Sequence, residues 1–409
     1  MNNDNIQSEG NDIFVARQPI FDSQKDVFAY ELLFRKGFQN YASKFDIEYA
    51  TIKVISNSLI MGLNRLTAGK KVFIKFNRQL LLGNIPRLFP IEQLGVEIQS
   101  GVAPEKAIIE ACEKLKSDGY LVIMDDYYFE EKYRPLLPFI DIIKVDFIAR
   151  DNDYRSEIFK KVNAPHIKFL AEKIEIKEHF QEAAALGYHY FQGFFFQKPD
   201  VLSSREMPGY KFNYLQILKK TCDPDMPLDE IETILKHDVS LTYKLLRFIN
   251  SASYAFRVTI RSIKHALVLL GKREVKKWLT LIALSGIGSG KPLELMNSTL
   301  IRARFCELIG QELGKKDETS DFFLVGMFSM ADAFLDRPMR DILSDLPLDR
   351  AIKMALLGNQ GLFRDVLDLV LAYERADWVE ASQLAEQLKL SEGKVVSHYI
   401  EAVHWVRAF

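Results

Sequence analysis

Short apolar segments alternate with amphipathic segments through roughly the first 200 residues of the chain. The apolar segments are rich in Val, Ile and Phe and have the length of β-strands. They cover residues 13–21, 27–35, 71–76, 94–98, 120–126, 140–146, 167–172 and 190–196. Between them, apolar residues recur at helical spacing, most clearly in 46–63 and 104–116. This alternation predicts a parallel sheet, either open or closed.

Several of these predicted strands end in a polar side chain. These residues are Asn77, Glu97, Asp125, Asp126, Lys144, Asp146 and Glu172. Apolar strands that carry polar residues at their C-terminal ends are typical of a (β/α)8 barrel, in which these ends meet at one mouth. An open doubly wound sheet would need a glycine-rich phosphate loop after an early strand, and the sequence has none. The pattern therefore favours a closed, modified TIM-type barrel.

The second half of the chain has a helical pattern throughout. From about residue 215 we find no convincing strand, and turn signals such as Gly271 and Gly314 separate the apolar periodic segments. We expect the boundary near residues 200–212. The predicted division is a disordered tail at 1–12, a barrel domain at 13–204 and an all-helical domain at 205–409.

Composition narrows the class of protein. The 409 residues include 54 Lys and Arg against 55 Asp and Glu, which argues against binding of a nucleic acid polymer through bulk positive charge. Three dispersed cysteines without a Cys–His cluster argue against disulfides and structural zinc. The N-terminus lacks the pattern of a signal peptide, and the longest apolar run, 278–284, is far shorter than the ~20 residues of a spanning helix. We therefore expect a cytoplasmic protein with no membrane partner.

The polar strand ends suggest a metal site. Five carboxylates, those of Glu31, Glu97, Asp125, Asp126 and Glu172, and the amide of Asn77 would meet at one mouth, and the carboxylates would repel one another without a cation. Oxygen-only ligands suit Mg²⁺ or Mn²⁺, and the adjacent Asp125 and Asp126 could serve two ions, as in phosphodiester hydrolysis. Lys144 would then orient or deprotonate the attacking water. From the residues alone, separate strand-end caps and surface ion pairs are the alternative and the more common arrangement.

The same residues lie in motifs that resemble those of the EAL family, modified barrels that hydrolyse cyclic di-GMP to pGpG with Mg²⁺ or Mn²⁺. RQPIFD (17–22) resembles the family's QPI segment, YELLFR (30–35) its YEALLR signature, and GVEIQS (95–100) its ELTE strand. KFN (75–77), MDD (124–126), IKVD (143–146), FLAEKIE (169–175) and YFQGFFFQKP (190–199) are similar to further motifs, in the family's order.

The resemblance implies a role for each matching residue. It implies metal ligands at Glu31, Asn77, Glu97, Asp125, Asp126 and Glu172. It implies catalytic roles for Lys144, Glu172 and Gln192. It implies nucleotide contacts at Gln18, Leu33 and Arg35, although a capping amide, a core residue and a strand-end ion pair are the respective alternatives.

Three positions depart from the EAL pattern. The family's flexible DDFGTG loop is DDYYFE (125–130) here, so its glycines are replaced by aromatic residues. Ser100 stands for the second Glu of ELTE, and Lys173 stands for the Gly of AEGVE. Loss of support around a metal site commonly lowers affinity or rate by about 10–100-fold. We therefore expect weak turnover or none.

The helical half contains His237–Asp238, similar to the dyad of HD-type metal phosphohydrolases. However, HDVSLTYKLLRFINSASY (237–254) and IRSIKHALVLLG (260–271) resemble the HDOD family, an HD-like regulatory and protein-binding domain without metal ligands. Ser329 and Met330 stand where an HD protein has a His–Asp pair. We interpret the nearby basic run at 272–277 as a solvated helix face rather than a partner surface.

We therefore expect a signalling protein whose barrel senses cyclic di-GMP and whose helical domain passes that state to a signalling partner. The resemblance also implies a homodimer. One alternative is a working phosphodiesterase with two Mg²⁺ or Mn²⁺ ions. The other is a scaffold that has lost nucleotide binding, which the retained ligand set disfavours.

Overall fold

The structure is a computed structural model, and it describes residues 13–36, 67, 69–126, 130–197, 214, 217, 263–287, 291–346 and 348–406. Several sequence-based expectations lie outside these residues. They are the disordered tail at 1–12, the helix at 46–63, the aromatic residues at 127–129, the domain boundary at 204–205 and the pair His237–Asp238.

Eight strands close into a barrel in which the neighbours follow chain order. They are β1 (Ile13–Asp22), β2 (Val27–Lys36), β3 (Lys71–Phe76), β4 (Leu94–Ile98), β5 (Leu121–Met124), β6 (Ile142–Asp146), β7 (Lys168–Glu172) and β8 (Tyr190–Gln192). The first strand is antiparallel to both β2 and β8, whereas the strands from β2 to β8 are parallel. The predicted modified barrel is therefore confirmed.

Helices with local start and stop signals connect the parallel strands. They are α1 (Arg78–Leu82), α2 (Lys106–Ser117), α3 (Asn152–Val162) and α4 (Lys177–Leu186), with 3-10 helices at Ile85–Leu88, Glu131–Phe139 and Phe195–Gln197. For α3, Asp151 caps the first turn by accepting from the Tyr154 amide at 2.7 Å. Asn163 then ends the helix in a left-handed conformation. From β3 onwards, connectors of this kind bring each parallel strand back in the same direction.

An apolar layer fills the lower part of the barrel interior. It consists of Ile20, Ala29, Phe73, Ile123, Ile142, Leu170 and Tyr190. Gly95 faces this layer from β4, and a Cβ there would lie 2.6 Å from the Phe73 ring. The absent side chain therefore makes room for an aromatic ring, and the layer forms a closed floor beneath the mouth.

The described residues from 263 to 406 form helices joined by turns, as the sequence predicts. The helices are α5 (Ile263–Ile287), α6 (Leu293–Glu312), α7 (Thr319–Phe328), α8 (Ala331–Leu335), α9 (Met339–Asp345), α10 (Arg350–Leu356), α11 (Leu362–Glu374), α12 (Trp378–Gln387) and α13 (Glu392–Val406), with a 3-10 helix at Lys316–Glu318. Gly271 breaks α5 with φ 74° and ψ 159°, at the position where the sequence predicts a turn. No helix among the described residues is long and apolar enough to cross a membrane.

The prediction that the basic run at 272–277 faces solvent is wrong at Lys277. Lys277 belongs to the basic run expected to face solvent, but it is only 7% exposed. Its ammonium pairs with Glu274 at 3.1 Å and with the buried Glu307 of α6. Lys277 lies on the inward face of its helix. The two carboxylates stabilise its ammonium there, because a buried charge needs partners of opposite charge.

Contacts divide the chain into two compact units. One contains Met1–Ile174, Gln181–Gly193 and Leu371–Ser397, and the other contains Glu175–Phe180, Phe194–Val370 and His398–Phe409. Within the first unit, the hydroxyl of the buried Tyr373 donates to the Val15 carbonyl of β1 at 3.2 Å. The C-terminal segment Leu371–Ser397 is thus part of the compact unit that contains the barrel strands.

Candidate functional site

The barrel mouth receives its polar side chains from the strand period of two. Residues two positions further along β2, β3, β5, β6, β7 and β8 than the apolar layer face the same interior. These residues are Glu31, Lys75, Asp125, Lys144, Glu172 and Gln192, joined by Gln18 from the antiparallel β1 and by Glu97 from β4. The strand order thus brings side chains together that are up to 174 positions apart in sequence.

Lys144 lies at the centre of this group. Its side chain is 0% exposed, and its Nζ lies 2.8 Å from both Glu97 and Glu172 and 3.0 Å from Glu31. Asp125 is at 3.6 Å. A buried ammonium requires counter-charges of this kind, and these carboxylates require a cation in turn. We call these four carboxylates and Lys144 the mouth cluster.

A second ammonium enters the mouth cluster from β3. The Nζ of Lys75 lies 3.0 Å from Asp125, 3.3 Å from Glu31 and 3.4 Å from Glu97. Its side chain is 36% exposed, so it approaches from the solvent side of the mouth. Three carboxylates that the sequence assigns to metal ions therefore share a side-chain cation.

The two lysines set the protonation of the cluster. Burial opposes the charged form of Glu31, but Lys144, Lys75 and a hydrogen bond from Gln192 outweigh it and lower its pKa to about 2. Burial and the charge of Glu31 instead raise the pKa of Glu97 well above its ordinary value. Burial also opposes charge on Lys144, yet the carboxylates raise its pKa above the usual lysine value. The surrounding carboxylates therefore favour the charged, hydrogen-bond-donating form of Lys144.

Gln192 connects the mouth cluster to β1. Its Nε2 donates to Glu31 at 2.6 Å and to the Gln18 side chain at 3.2 Å. The following Gly193 has φ 151°, and a Cβ there would lie 2.1 Å from the Ile174 carbonyl oxygen. Only glycine fits this approach, and the Ile174 amide donates to the Gln192 carbonyl at 2.9 Å. Gly193 thus fixes the strand end that positions Gln192.

Two predicted ligands have other partners. The Asn77 Oδ1 accepts from the Leu80 amide at 2.9 Å and caps α1. Asp126 is 46% exposed and pairs with Arg150 at 2.8 Å. Their assignment as metal ligands therefore stays a prediction, whereas the geometry brings Lys75 into the mouth cluster.

The replaced glycine of FLAEKIE has a structural consequence. Lys173 has φ 58°, a conformation that favours glycine. Its ammonium compensates by pairing with Asp146 at 2.5 Å. Although burial opposes it, this contact and backbone hydrogen bonds lower the pKa of Asp146. The end of β7 is thus held by an ion pair beside the mouth.

The predicted nucleotide contacts are described in part. Gln18 meets Gln192 at the mouth, and Leu33 is half-buried on β2. The Arg35 side chain lies outside the described residues. A cavity of about 330 Å³ adjoins Asp125 and is lined on other sides by Ser100 and Lys132.

Two buried oxygen atoms at the mouth indicate whether the site suits a cation. Among the described residues, Glu97 Oε2 and Gln192 Oε1 are buried without a hydrogen-bond partner. Hard divalent ions such as Mg²⁺ and Mn²⁺ bind carboxylate and amide oxygens, so this donor set fits one. Within the same described residues, no three His, Cys, Asp or Glu side chains form a metal-holding group as they stand. The lysines lie among the carboxylates.

The position expected to lack an HD-type metal pair is polar but closed. Ser329 accepts from the Arg302 guanidinium at 3.0 Å and donates to the Gly326 carbonyl at 2.7 Å. The Met330 Sδ lies 3.1 Å from the Thr299 hydroxyl oxygen. An arginine beside this position is unsuited to a metal, because it adds a fixed positive charge.

Lys75 is the site residue that the sequence analysis missed. The segment KFN lies at the end of a strand. In an extended strand alternate side chains point to the same side, so Lys75 and Asn77 would both face the mouth. The signal was the i, i+2 spacing from Phe73, which lies in the apolar layer. Asn77 has the same spacing from Lys75 but begins a helix instead, so the strand pattern stops before it.

Comparisons with known proteins cover both halves of the chain. Residues 207–334 match the HDOD domain family. The chain is 34% identical over 402 residues to the uncharacterized protein YuxH of Bacillus subtilis, covering 96% of this chain and 98% of YuxH. It is also 34% identical over 396 residues to the cyclic di-GMP phosphodiesterase CdgJ of Vibrio cholerae, covering 96% and 92% respectively.

Among solved structures, the chain is similar to a calcium and cyclic di-GMP complex of Klebsiella pneumoniae BlrP1. The identity is 20% and the TM-score 0.39, with 46% of this chain and 55% of the other covered. The likeness to CdgJ and YuxH extends over both halves at 34% identity. The chain therefore belongs to the EAL–HDOD family of two-domain signal-transduction proteins, in which an EAL-like barrel precedes an HDOD domain.

Proposed function

We propose that this protein is a cytoplasmic cyclic di-GMP receptor with weak or no turnover. Its barrel binds the nucleotide at the mouth, and its HDOD domain passes the bound state to a signalling protein. Support for the nucleotide comes from the full-length likeness to CdgJ and from the retained mouth cluster. The observation that carries weak turnover is Lys75, whose ammonium lies within 3.4 Å of three carboxylates.

The mouth cluster also suits a divalent ion beside the nucleotide. Glu97 and Gln192 would hold Mg²⁺ or Mn²⁺ through their partnerless oxygens. Such an ion neutralises phosphate charge and activates water. Lys144 keeps Glu31, Glu97 and Glu172 in place and donates a proton towards a phosphate oxygen or water.

For nucleotide contacts we propose Gln18, Leu33 and Arg35. An arginine suits a bidentate contact with phosphate, and Gln18 is held at the mouth by Gln192. This proposal assigns nucleotide binding to a barrel domain at 13–204 and signal transmission to a helical domain at 205–409. It also includes a homodimeric assembly.

A second candidate function is a working phosphodiesterase. The name of CdgJ favours it, as do four carboxylates gathered around a fully buried lysine. In that case two Mg²⁺ or Mn²⁺ ions would act with Asn77 and Asp126 as further ligands. Both side chains would have to leave the partners described above.

Calorimetric titration of the full chain with cyclic di-GMP in Ca²⁺ tests the receptor function. We expect micromolar binding that Arg35→Ala weakens about tenfold or more, because a charged phosphate contact is lost. Arg375→Ala is the control, since Arg375 is exposed and pairs with Glu380. Absence of binding by the wild-type protein would leave the barrel as a scaffold and refute the proposal.

A further inference from the structure

Lys75 contacts three carboxylates that a divalent ion at the mouth would also use as ligands. Its Nζ contacts Asp125, Glu31 and Glu97 at 3.0–3.4 Å. Glu31 and Glu97 also contact Lys144, whose side chain has no exposure. The two ammonium groups therefore divide one set of oxygens between a buried centre and a solvent-facing edge.

The charges indicate how many further cations this set accepts. Carboxylates that bind a metal ion do so without their protons, and in that state the four acids of the mouth cluster exceed the two lysines by two negative charges. One divalent ion balances that excess, whereas two would leave the buried cluster positive. Uncompensated charge in a buried site is costly in either sign.

The orphaned oxygens agree with this count. Among the described residues at the mouth, Glu97 Oε2 and Gln192 Oε1 are buried acceptor atoms without a hydrogen-bond partner. Both oxygens of the Glu31 carboxylate have partners: Oε1 contacts Lys75, and Oε2 accepts from Lys144 and Gln192. A second ion would have to take Glu31 and Asp125 from Lys75.

We propose that Lys75 is a built-in cation of the mouth cluster, which limits the barrel to one divalent ion unless its side chain is displaced. This inference rests on the proposed function in assigning divalent ions to the barrel, and it supplies a physical reason for the weak turnover proposed above. Lys75 is suited to exchange because its side chain is 36% exposed. Lys144 is not, because it is enclosed.

The test compares Mn²⁺ binding and thermal stability of the full-length wild type with those of Lys75→Met and Lys75→Gln. Methionine keeps the length and removes the charge, whereas glutamine adds an amide oxygen. Lys71→Met is the matched control, because Lys71 begins the same strand and its ammonium donates to the Glu92 carbonyl at 2.7 Å, away from the mouth cluster.

In EDTA, we expect both Lys75 variants to melt below the wild type, because three carboxylates lose a cation. In Mn²⁺, we expect them to recover more stability than the wild type. Their Mn²⁺ affinity should rise by about tenfold or more, because a positive charge that competes for the same carboxylate oxygens is removed, and the stoichiometry should be two. The Lys71→Met protein should behave as the wild type. Unchanged Mn²⁺ affinity and stoichiometry in both variants would overturn the proposal.

A second measurement uses the wild type alone. Acetylation of lysines with and without Mn²⁺, read by mass spectrometry, reports displacement of Lys75 directly. At millimolar Mn²⁺ we expect more acetylation of Lys75 and none of Lys144. Two bound Mn²⁺ ions with unchanged Lys75 labelling would contradict the proposal. Neither experiment uses nucleotide. Absence of cyclic di-GMP binding would therefore refute the proposed function without refuting the role of Lys75.

Discussion

Replacement of Lys144 by methionine tests whether the mouth cluster is one electrostatic unit. The substitution keeps the volume of the side chain and removes the ammonium that four carboxylates surround at 2.8–3.6 Å. Removing one partner of a buried ion pair costs about 3–5 kcal/mol. We expect a loss of that size in the free energy of unfolding, measured in EDTA by urea denaturation at pH 7.

The loss should depend on pH with a defined sign. In the variant, Glu31, Glu97 and Glu172 have no buried cation, so their folded pKa values rise above those of the unfolded chain. A raised acid pKa destabilises the fold as the pH increases and is relieved as the pH falls. The difference from the wild type should therefore be largest near pH 7 and should narrow towards pH 5.

Two controls separate this effect from a general packing defect. Lys106→Met removes an ammonium whose side chain is 91% exposed on α2 and should change stability by less than about 0.5 kcal/mol. Adding Glu172→Gln to Lys144→Met removes one uncompensated carboxylate and should recover part of the loss. A Lys144→Met protein as stable as the wild type at pH 7, or a difference that widens at low pH, would refute the reasoning.

Further predictions concern the strand ends and the C-terminal segment. Gly193→Ala should cost more than about 3 kcal/mol in thermal or urea unfolding, because its Cβ meets a backbone carbonyl at 2.1 Å; Gly187→Ala, with open space around it, should cost clearly less. Asp146→Asn should lose the stabilising ion pair with Lys173, and since the folded pKa of Asp146 is lowered, the stability difference should persist above about pH 5 and vanish in acid. Tyr373→Phe should cost about 1 kcal/mol through its lost hydrogen bond to β1, and no change in unfolding would contradict the placement of that helix.

Local pattern was sufficient where one strand or helix decides the outcome. The bounds of β3 and β4 agree with the predicted 71–76 and 94–98. The break at Gly271 follows from a backbone conformation that glycine adopts readily. The carboxylates at the strand ends meet because a closed barrel brings all C-terminal strand ends to one mouth.

Long-range partners decided the rest. The spacing of Lys75 and Asn77 is the same in sequence, and only the helix that begins at Arg78 separates their roles. The burial of Lys277 depends on Glu307, which is 30 residues away. The assignment of Leu371–Ser397 to the barrel unit depends on contacts with β1, which is more than 350 residues distant.

The most direct test of the receptor function is one incubation of the purified full chain with cyclic di-GMP and Mn²⁺. Chromatography would follow loss of the nucleotide and formation of pGpG, and a parallel titration in Ca²⁺ would measure binding. We predict micromolar binding with the nucleotide left largely intact over many minutes. Rapid formation of pGpG that disappears in the Glu31→Ala protein would contradict the account and establish a working phosphodiesterase.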